Sequence, residues 1–402
     1  MTVTGAEQRV DGDEARVLEL VDRLFAAADP ADVRGFLGAQ YDLGLAWVHF
    51  AEGDGGLGLS PRLQRVIQHE IVRRGGPQPA QHQILGLGMG APTVATHGTP
   101  EQRRRWLRPL FTGEEVWCQL FSEPGAGSDV AGLATRAVPD GDEWVVNGQK
   151  VWTSVAHLAK WGMLVARTDP EAAKHAGLTY FVIDMHQPGV EARPLRQMTG
   201  QAEFNEVYFT DARVPDADRL GGVGEGWRVA LTTLMNERVA IGGGQPQRGE
   251  GSIKFALDAW AARPRSGPAD AAAKDELMRL WVEAEVNRLT NIRAAQLRTV
   301  GNPGPEGSIS KVAYAEFNKK VMAFVMNLLG PEGMLYGDYA GQDEYRFDGY
   351  GDPRAYFLRV RANSIEGGTT EIMRNILGER TLGLPGDVRV DKDLPWSKVP
   401  RS

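Results

Sequence analysis

The hydrophobic pattern of this chain changes its period twice, and that ordering bounds what it can fold into. Up to about residue 115 the apolar positions recur at helical spacing. Ser60–Pro61 and Thr99–Pro100 each place a capping hydroxyl before a first-turn proline. They open "RLQRVIQHEIVRRG" and "EQRRRWLRPLFTG", which stop at Gly75 and Gly113. Short β-branched and aromatic runs follow: "EWVVNG", "KVWTSV", "WGMLVAR", "LTYFVIDM" and "FNEVYFT". Between them lie "PDGD", "NGQ", "TDP" and "QPG", the punctuation of a sandwich or barrel. Asn147–Gly148 reads as a hairpin turn. From Trp227 onward the period is helical again, in "WRVALTTLMNERVAIGGG", "DELMRLWVEAEVNRLTNIRAAQL", "ISKVAYAEFNKKVMAFVMNLLG" and a last helix, "EIMRNILGER". Helices, then sheet, then helices predicts an α+β fold with segregated elements. It argues against the alternating βαβ of a Rossmann nucleotide site. Domains are expected at 1–115, 116–222 and 223–402.

Composition narrows the function classes. A chain of 402 residues with net charge −7 and no basic stripe is not built to grip a nucleic-acid backbone. The single cysteine, Cys118, excludes an internal disulfide and a cysteine-rich zinc site. "HEIVR" at 69–73 starts like a zinc-protease motif, but Arg73 stands at the second ligand position. With no apolar core in the first residues and no run of eighteen apolar residues, neither a signal peptide nor a membrane span is expected. The chain reads as a soluble cytoplasmic protein.

Three stretches can carry chemistry. "FSEPGAGSDVAG" (121–132) combines glycines, which let backbone N–H groups approach a ligand, with the hydroxyls of Ser122 and Ser128. Its bland reading is a surface turn. In "NGQKVWTS", Trp152 and Ser154 share a strand face, an aromatic beside a hydroxyl suited to a flat ring; the alternative is core packing. On a helical wheel of "WRVALTTLMNERVAIG", Glu237 and Arg238 fall on or beside the stripe of Ala230, Leu234, Trp227 and Leu231. A carboxylate there is either a desolvated proton-abstracting base or half of a structural ion pair.

Taken together, "FSEPGAGSDVAG", "NGQKVWTS", "FNEVYFTDARVP", "GEGW", "NERVA", "LLGPEGM" and "EGGTTEIMRNILGERTLGLP" resemble the acyl-CoA dehydrogenase family, in its order and over nearly the whole chain. The resemblance implies a helical N-terminal domain, a middle β domain of barrel or sandwich type and a C-terminal four-helix bundle. It implies an FAD flavoprotein of fatty acid and lipid metabolism, with FAD between the β domain and the helices. The oxidoreductase would desaturate an acyl-CoA thioester: a glutamate takes the α proton and the β hydrogen leaves as hydride to flavin N5. An electron-transfer flavoprotein would accept the electrons. The assembly would be a homotetramer, or a heterotetramer.

Carried over by position, Gln119, Phe121, Ser122, Trp152, Ser154, Asn327, Gly330, Thr369 and Glu371 match cofactor-binding positions. Ser128 and Arg238 match substrate-binding ones. The arginine and aromatic–glycine pair that often reaches the FAD pyrophosphate has no placed counterpart in "GQPQRGEGSIKFALDAW", where Arg248 is the candidate substitute. No metal is implied.

The base is the second departure. The commoner pattern is aromatic–Glu–Gly–Thr. Aligning "TTEIMRN" puts Gly367 at the base position and Glu366 where the aromatic stands. A subset resembling isovaleryl- and long-chain acyl-CoA dehydrogenases carries its base in a helix Glu–Arg pair, which Glu237–Arg238 matches. Glu237 is therefore the expected base, Glu366 the alternative, and Gly367 the backbone N–H donor to the thioester oxygen. Gly86, Gly88 and Gly90 in "ILGLGMGAP" suggest room for a bulky or branched acyl group. Two other activities stay open: an acyl-CoA oxidase, and a flavin-poor structural subunit of a heteromeric dehydrogenase.

Overall fold

A computed structural model describes residues 3–80, 83–242, 246–263, 269–298, 306–335, 351–386, 388, 391 and 393–400. The chain forms two compact units. One comprises Met1–Arg193, Asn205–Thr233 and Asp393–Ser402, the other Pro194–Phe204 and Leu234–Lys392.

The first unit starts with α1 (Val3–Ala27), α2 (Val33–Asp42), α3 (Leu63–Arg73), α4 (Ala91–His97) and α5 (Pro100–Thr112). α5 opens as the sequence predicts. The Thr99 hydroxyl accepts from Gln102 N (3.2 Å), the Gln102 side chain accepts from Thr99 N (2.8 Å), and Gly113 at φ +73° ends the helix. α3 starts later than its Ser60–Pro61 signal, at Leu63. That side chain buries with Val17, Leu24, Ile67 and Ile71, so packing sets the start.

Eight strands follow among the described residues: β1 (Trp117–Leu120), β2 (Arg136–Asp140), β3 (Glu143–Ser154), β4 (Trp161–Arg167), β5 (Leu178–Asp184), β6 (Val190–Leu195), β7 (Phe204–Pro215) and β8 (Arg219–Leu220). They form one mixed sheet in the order β6-β7-β3-β2-β4-β5-β8, with β1 parallel to β4. β4 is buried at every position, which explains its continuous apolar run. α5 seats on the sheet through Trp106, whose ring meets Trp117 and Trp161 edge to face at 5.8 and 6.1 Å.

One expectation is overturned here. Asn147–Gly148 is not a turn. "EWVVNG" and "KVWTS" are a single twelve-residue strand, β3, and its hairpin with β2 turns at Asp140–Glu143 around Gly141 (φ +68°). Asn147 is instead a cross-strand anchor: its amide donates to Asp211 Oδ1 (2.9 Å) and accepts from Asp211 N (3.1 Å). Gly148 is required because a Cβ would lie 2.7 Å from the Thr135 Cα.

Residues 393–400 return to this unit. The Trp396 indole donates to Gly132 O (3.1 Å) and its ring lies under the Arg167 guanidinium at 4.5 Å. Arg167, itself buried, donates to the carbonyls of Ala131, Leu133 and Lys174.

α6 (Gly226–Gly242) begins in the first unit and ends in the second. There α7 (Ser252–Ala262), α8 (Ala269–Arg298), α9 (Glu306–Leu329), α10 (Pro353–Arg359) and α11 (Thr370–Arg380) follow. α9 is the central helix, burying Phe317, Val321 and Phe324 against Ile253 of α7 and Leu280 of α8. Met278, Val282, Val286 and Leu289 of α8 are exposed. At about 100° per residue they occupy one face. Among the described residues no helix is long and apolar enough to cross a membrane, and no cluster of His, Cys, Asp and Glu could hold a metal.

Gly226 packs so closely on β5 that an added Cβ would lie 2.5–2.7 Å from Thr179 backbone atoms, whereas Gly307 faces open space. Gly226→Ala should therefore destabilise the protein by about 1–3 kcal/mol. Gly307→Ala should be neutral or stabilising by up to about 1 kcal/mol. Chemical denaturation of both variants checks the pair.

Candidate active site

The glycine loop of the first unit is organised by one side chain. Glu123 closes a turn with Ala126 through a reciprocal backbone pair (3.1 and 3.0 Å), with Pro124 and Gly125 between them. Its carboxylate points inward. It accepts from Ala134 N (2.7 Å), Thr135 N (2.9 Å) and the fully buried Lys150 ammonium (2.8 Å). Lys150 also donates to Phe121 O (3.0 Å). Burial alone would raise the Glu123 pKa. The Lys150 charge and hydrogen bond, then the Thr135 and Ala134 donors, outweigh it and leave the group below its ordinary value. Both ends of the loop are thus held from beneath, while Gly125, Gly127 and Ser128 face outward.

β3 supplies the aromatic. Trp144, Val146 and Lys150 point inward along the strand, and strict alternation would send Trp152 inward too. Trp152 instead has φ +60°, a left-handed conformation costly for a bulky residue, and it lies 61% exposed. Thr153 is buried and Ser154 half-buried, so Trp152 and Ser154 flank an inward residue as expected. Val151 N donates to Ser122 O (2.9 Å), which ties the start of the glycine loop to the strand beside Trp152. Gln119 is half-buried in β1. Phe121 is buried edge to face against Tyr180, and its carbonyl is taken by Lys150.

In the second unit the "SIEGGTTEIMRN" segment joins α10 to α11. Gly367 and Gly368 have φ +62° and +91°. Glu366 is engaged: Arg359 grips both its oxygens (2.9 and 2.7 Å), and the Asn363 amide donates at 2.8 Å. Thr369 caps α11, accepting from Ile372 N (3.2 Å), and Glu371 is exposed in the first turn. Buried Lys311 of α9 donates to Gly368 O at 2.5 Å.

Among the described residues of α6 the buried ones are Gly226, Val229, Ala230 and Thr233, while Leu231 is 39% exposed. The buried stripe is therefore rotated from the sequence wheel, away from Leu231 and toward Thr233. Glu237 follows Thr233 by four residues, lies on the same face, and is half-buried. The Arg238 side chain lies outside the described residues. Asn327 and Gly330 are exposed at the end of α9. Arg248 lies over Trp281 and pairs with Glu285 at 3.4 Å. The 86–90 glycines form a π-helical turn, but Gly86 and Gly90 are buried against Leu110 and Trp117. Of the three, only Gly88 is left half-exposed.

The sequence matches the acyl-CoA dehydrogenase N-terminal domain over 15–114, the middle domain over 118–212 and the C-terminal domain over 224–382. It is 39% identical over 86% of both chains to the acyl-CoA dehydrogenase IpdE1 of Mycobacterium tuberculosis. The chain belongs to the acyl-CoA dehydrogenase family. A second relative, acyl-CoA dehydrogenase FadE34 of the same organism, is 38% identical over 96% of this chain, which spans 51% of FadE34. Among solved structures, the ChsE4–ChsE5 complex of M. tuberculosis matches with a TM-score of 0.70 at 28% identity, over 96% of this chain and 99% of that one. The steroid acyl-CoA dehydrogenase Tcur3481–Tcur3483 matches with a TM-score of 0.70 at 25% identity, over 93% and 97%.

The chain is thus an acyl-CoA dehydrogenase with the family's α+β fold of helical N-terminal domain, middle β domain and C-terminal bundle. Members of the family are FAD-dependent. The residues present fit such a group: a strained, outward-held indole, a half-buried hydroxyl two residues on, and an open glycine loop anchored from below. Sequence reasoning missed Glu123, Lys150 and Lys311. Glu and Lys read as surface residues, and only Lys150, on the inward period of a strand, carried a signal.

Glu123→Gln leaves Lys150 charged and buried without its partner, and should cost about 3–5 kcal/mol at neutral pH. The pair's contribution is present above the ordinary glutamate value of 4.5 and is lost as pH falls below it, because the folded value is the lower one. Adding Lys150→Met should recover part of the loss. Urea denaturation of the single and double variants at neutral and acid pH checks both signs.

Proposed function

We propose that the chain carries out FAD-dependent α,β-dehydrogenation of a bulky acyl-CoA thioester, with Glu237 as the base that takes the α proton. The observation that carries this is the engagement of Glu366. A carboxylate gripped at both oxygens by Arg359 and bonded by Asn363 is a structural anchor. The residue after it is Gly367, at the position where a base would otherwise stand. Glu237 stands half-buried on α6, and its charge acts on Lys311, the lysine that donates to Gly368 O of this loop.

The roles follow from the chemistry. An α proton is too weakly acidic for a carboxylate acting alone, so the thioester oxygen needs a donor as negative charge develops on it. The Gly367 N–H, carried on a left-handed glycine pair, suits that task. Trp152, Ser154, Ser122 and Gln119 would hold the flavin, Phe121 contributing through its backbone. By the family resemblance Thr369 and Glu371 would contact the flavin, Asn327 and Gly330 would touch the adenine half from a neighbouring subunit, Ser128 would lie near the CoA portion, and Arg238 would meet substrate from the active-site helix. Bound FAD would supply the hydride acceptor, and its electrons would pass to an electron-transfer flavoprotein.

The bulky substrate class rests on the relatives, one of which is described as a steroid acyl-CoA dehydrogenase. It does not rest on the 86–90 glycines, two of which serve helix packing. Assembly with further subunits, identical or not, belongs to the same reading. The exposed apolar face of α8 supports it, as do solved neighbours that pair two different chains.

Glu237→Gln should lower the rate of flavin reduction by acyl-CoA by about 10²–10⁴-fold. Glu366→Gln should lower stability and keep the rate within about tenfold of wild type, since that residue anchors the loop. Stopped-flow bleaching of the flavin with a polycyclic acyl-CoA separates the two. Near-normal bleaching by Glu237→Gln would defeat the assignment.

A further inference from the structure

Asn318 is a polar side chain set in the apolar core of the second unit. It lies on α9 among Phe317, Val321 and Met322 and is fully buried. An amide taken that far from water is costly unless its oxygen and nitrogen are both bonded, and here they are. The oxygen accepts from the Ser252 hydroxyl at the start of α7 (2.5 Å). The nitrogen donates to Asn363 Oδ1 (3.1 Å) and, at 3.4 Å, to the Tyr356 hydroxyl of α10. Asn363, 6% exposed, donates in turn to Glu366 Oε1 (2.8 Å).

These bonds run in one direction. An ionised carboxylate only accepts, so Asn363 must turn its NH2 group to Glu366 and its oxygen to Asn318. Asn318 must then turn its NH2 group to Asn363 and its oxygen to Ser252, whose hydroxyl donates. The charge on Glu366 thus orients two amides, and the chain of bonds leads from α7 through α9 to the loop. The Arg359–Glu366 pair cannot replace that link. Both partners belong to the same short segment, so their bond staples the segment to itself. Other bonds from α9 grip elsewhere. Glu316 accepts from Ser364 and Thr370 at 3.4 and 3.3 Å, and Lys311 reaches Gly368 O, beyond the peptide unit that joins Glu366 to Gly367.

That peptide unit carries the Gly367 N–H. A peptide is planar, so the N–H is held in one plane with the Cα of the residue before it. The glycine itself imposes nothing on the orientation of that plane. Glu366 is fixed at its side chain by Asn363 and Arg359, and its backbone N–H donates to Ala362 O (2.9 Å). The Gly367 N–H is therefore aimed by whatever holds Glu366.

We propose that Asn318 is a positioning residue of the active site: through Asn363 and Glu366 it docks the 364–368 turn on the helical core and so aims the Gly367 N–H. The inference rests on the reading of that N–H as donor to the thioester oxygen, and it is independent of Glu237.

Asn318→Leu keeps the volume and removes the bonds; Asn363→Leu cuts the same chain one link further on. Each single variant leaves a buried amide atom of the other residue without its partner. Combining them removes both partners together, so the double variant should regain thermal stability toward wild type. Flavin reduction by cholanoyl-CoA, a saturated polycyclic thioester, should not recover with it. Its limiting rate should fall about tenfold or more in the single and double variants alike, since an aimed oxyanion donor is worth about 10²–10³ in rate. The Kd for the thioester should stay within about threefold of wild type, because the lost interaction belongs to the transition state. Independently of turnover, amide hydrogen exchange in peptides covering 364–369 should quicken about tenfold or more in all three variants. Unchanged exchange in a folded Asn318→Leu protein overturns the inference and leaves the Gly367 reading standing. A rate that recovers with stability in the double variant also overturns it, since Asn318 would then serve the core and nothing more. Faster exchange beside an unchanged limiting rate removes the Gly367 reading, and the inference with it.

Discussion

The glycine loop and the strand beside it hang from one buried ion pair. Glu123 and Lys150 are both out of water, and each charge is satisfied by more than the other: two backbone amides reach Glu123 and the Phe121 carbonyl reaches Lys150. A fully bonded pair of this kind adds little net stability over an apolar core, but it tolerates few alternative arrangements. That is what a loop made of glycines needs to hold one shape, since glycines impose no conformation of their own. The pair also fixes the register at which β3 leaves the core, two residues before Trp152 is turned outward at φ +60°. The strain at that tryptophan can persist because the strand preceding it is pinned.

The second unit solves a different problem with similar means. A carboxylate next to a glycine pair is an obvious candidate for a proton acceptor. Its position alone does not decide the matter. Arg359 bonds to both oxygens of Glu366 and Asn363 to one of them, which gives this glutamate an anchoring part in the loop. What the loop then offers is backbone, two consecutive left-handed glycines whose carbonyl is drawn to α9 by Lys311.

Much of the fold was legible in the sequence, and the failures share a cause. Helix and strand regions follow from hydrophobic period, and the α5 cap from Thr99 and Gln102, because those signals are local. Asn147–Gly148 misled because its chemistry is that of a turn, while its true partners, Asp211 and the Thr135 backbone, lie far along the chain. The α6 wheel misplaced its buried face because Leu231 looks more apolar than Thr233, whereas Thr233 has buried hydroxyl partners in Thr93 and Tyr180. The bond set around Glu366 was out of reach for the same reason as Lys311: nothing in a composition or a period says which charged side chain will be taken out of water. The family resemblance nominates candidate site residues along the chain, and the structure adds the surroundings of those among the described residues.

The return of residues 393–400 to the first unit has a consequence for how the chain is made. Trp396 bonds to Gly132 across 264 positions and stacks on the arginine that ties together the carbonyls after the glycine loop. Contacts of such separation are slow to form, and on a ribosome this one cannot form until nearly the whole of the described chain has been translated. The glycine loop thus emerges early and waits longest for its last support. During that interval Arg167 is without its aromatic cover, and the loop is a natural handhold for a chaperone or a point of entry for a protease.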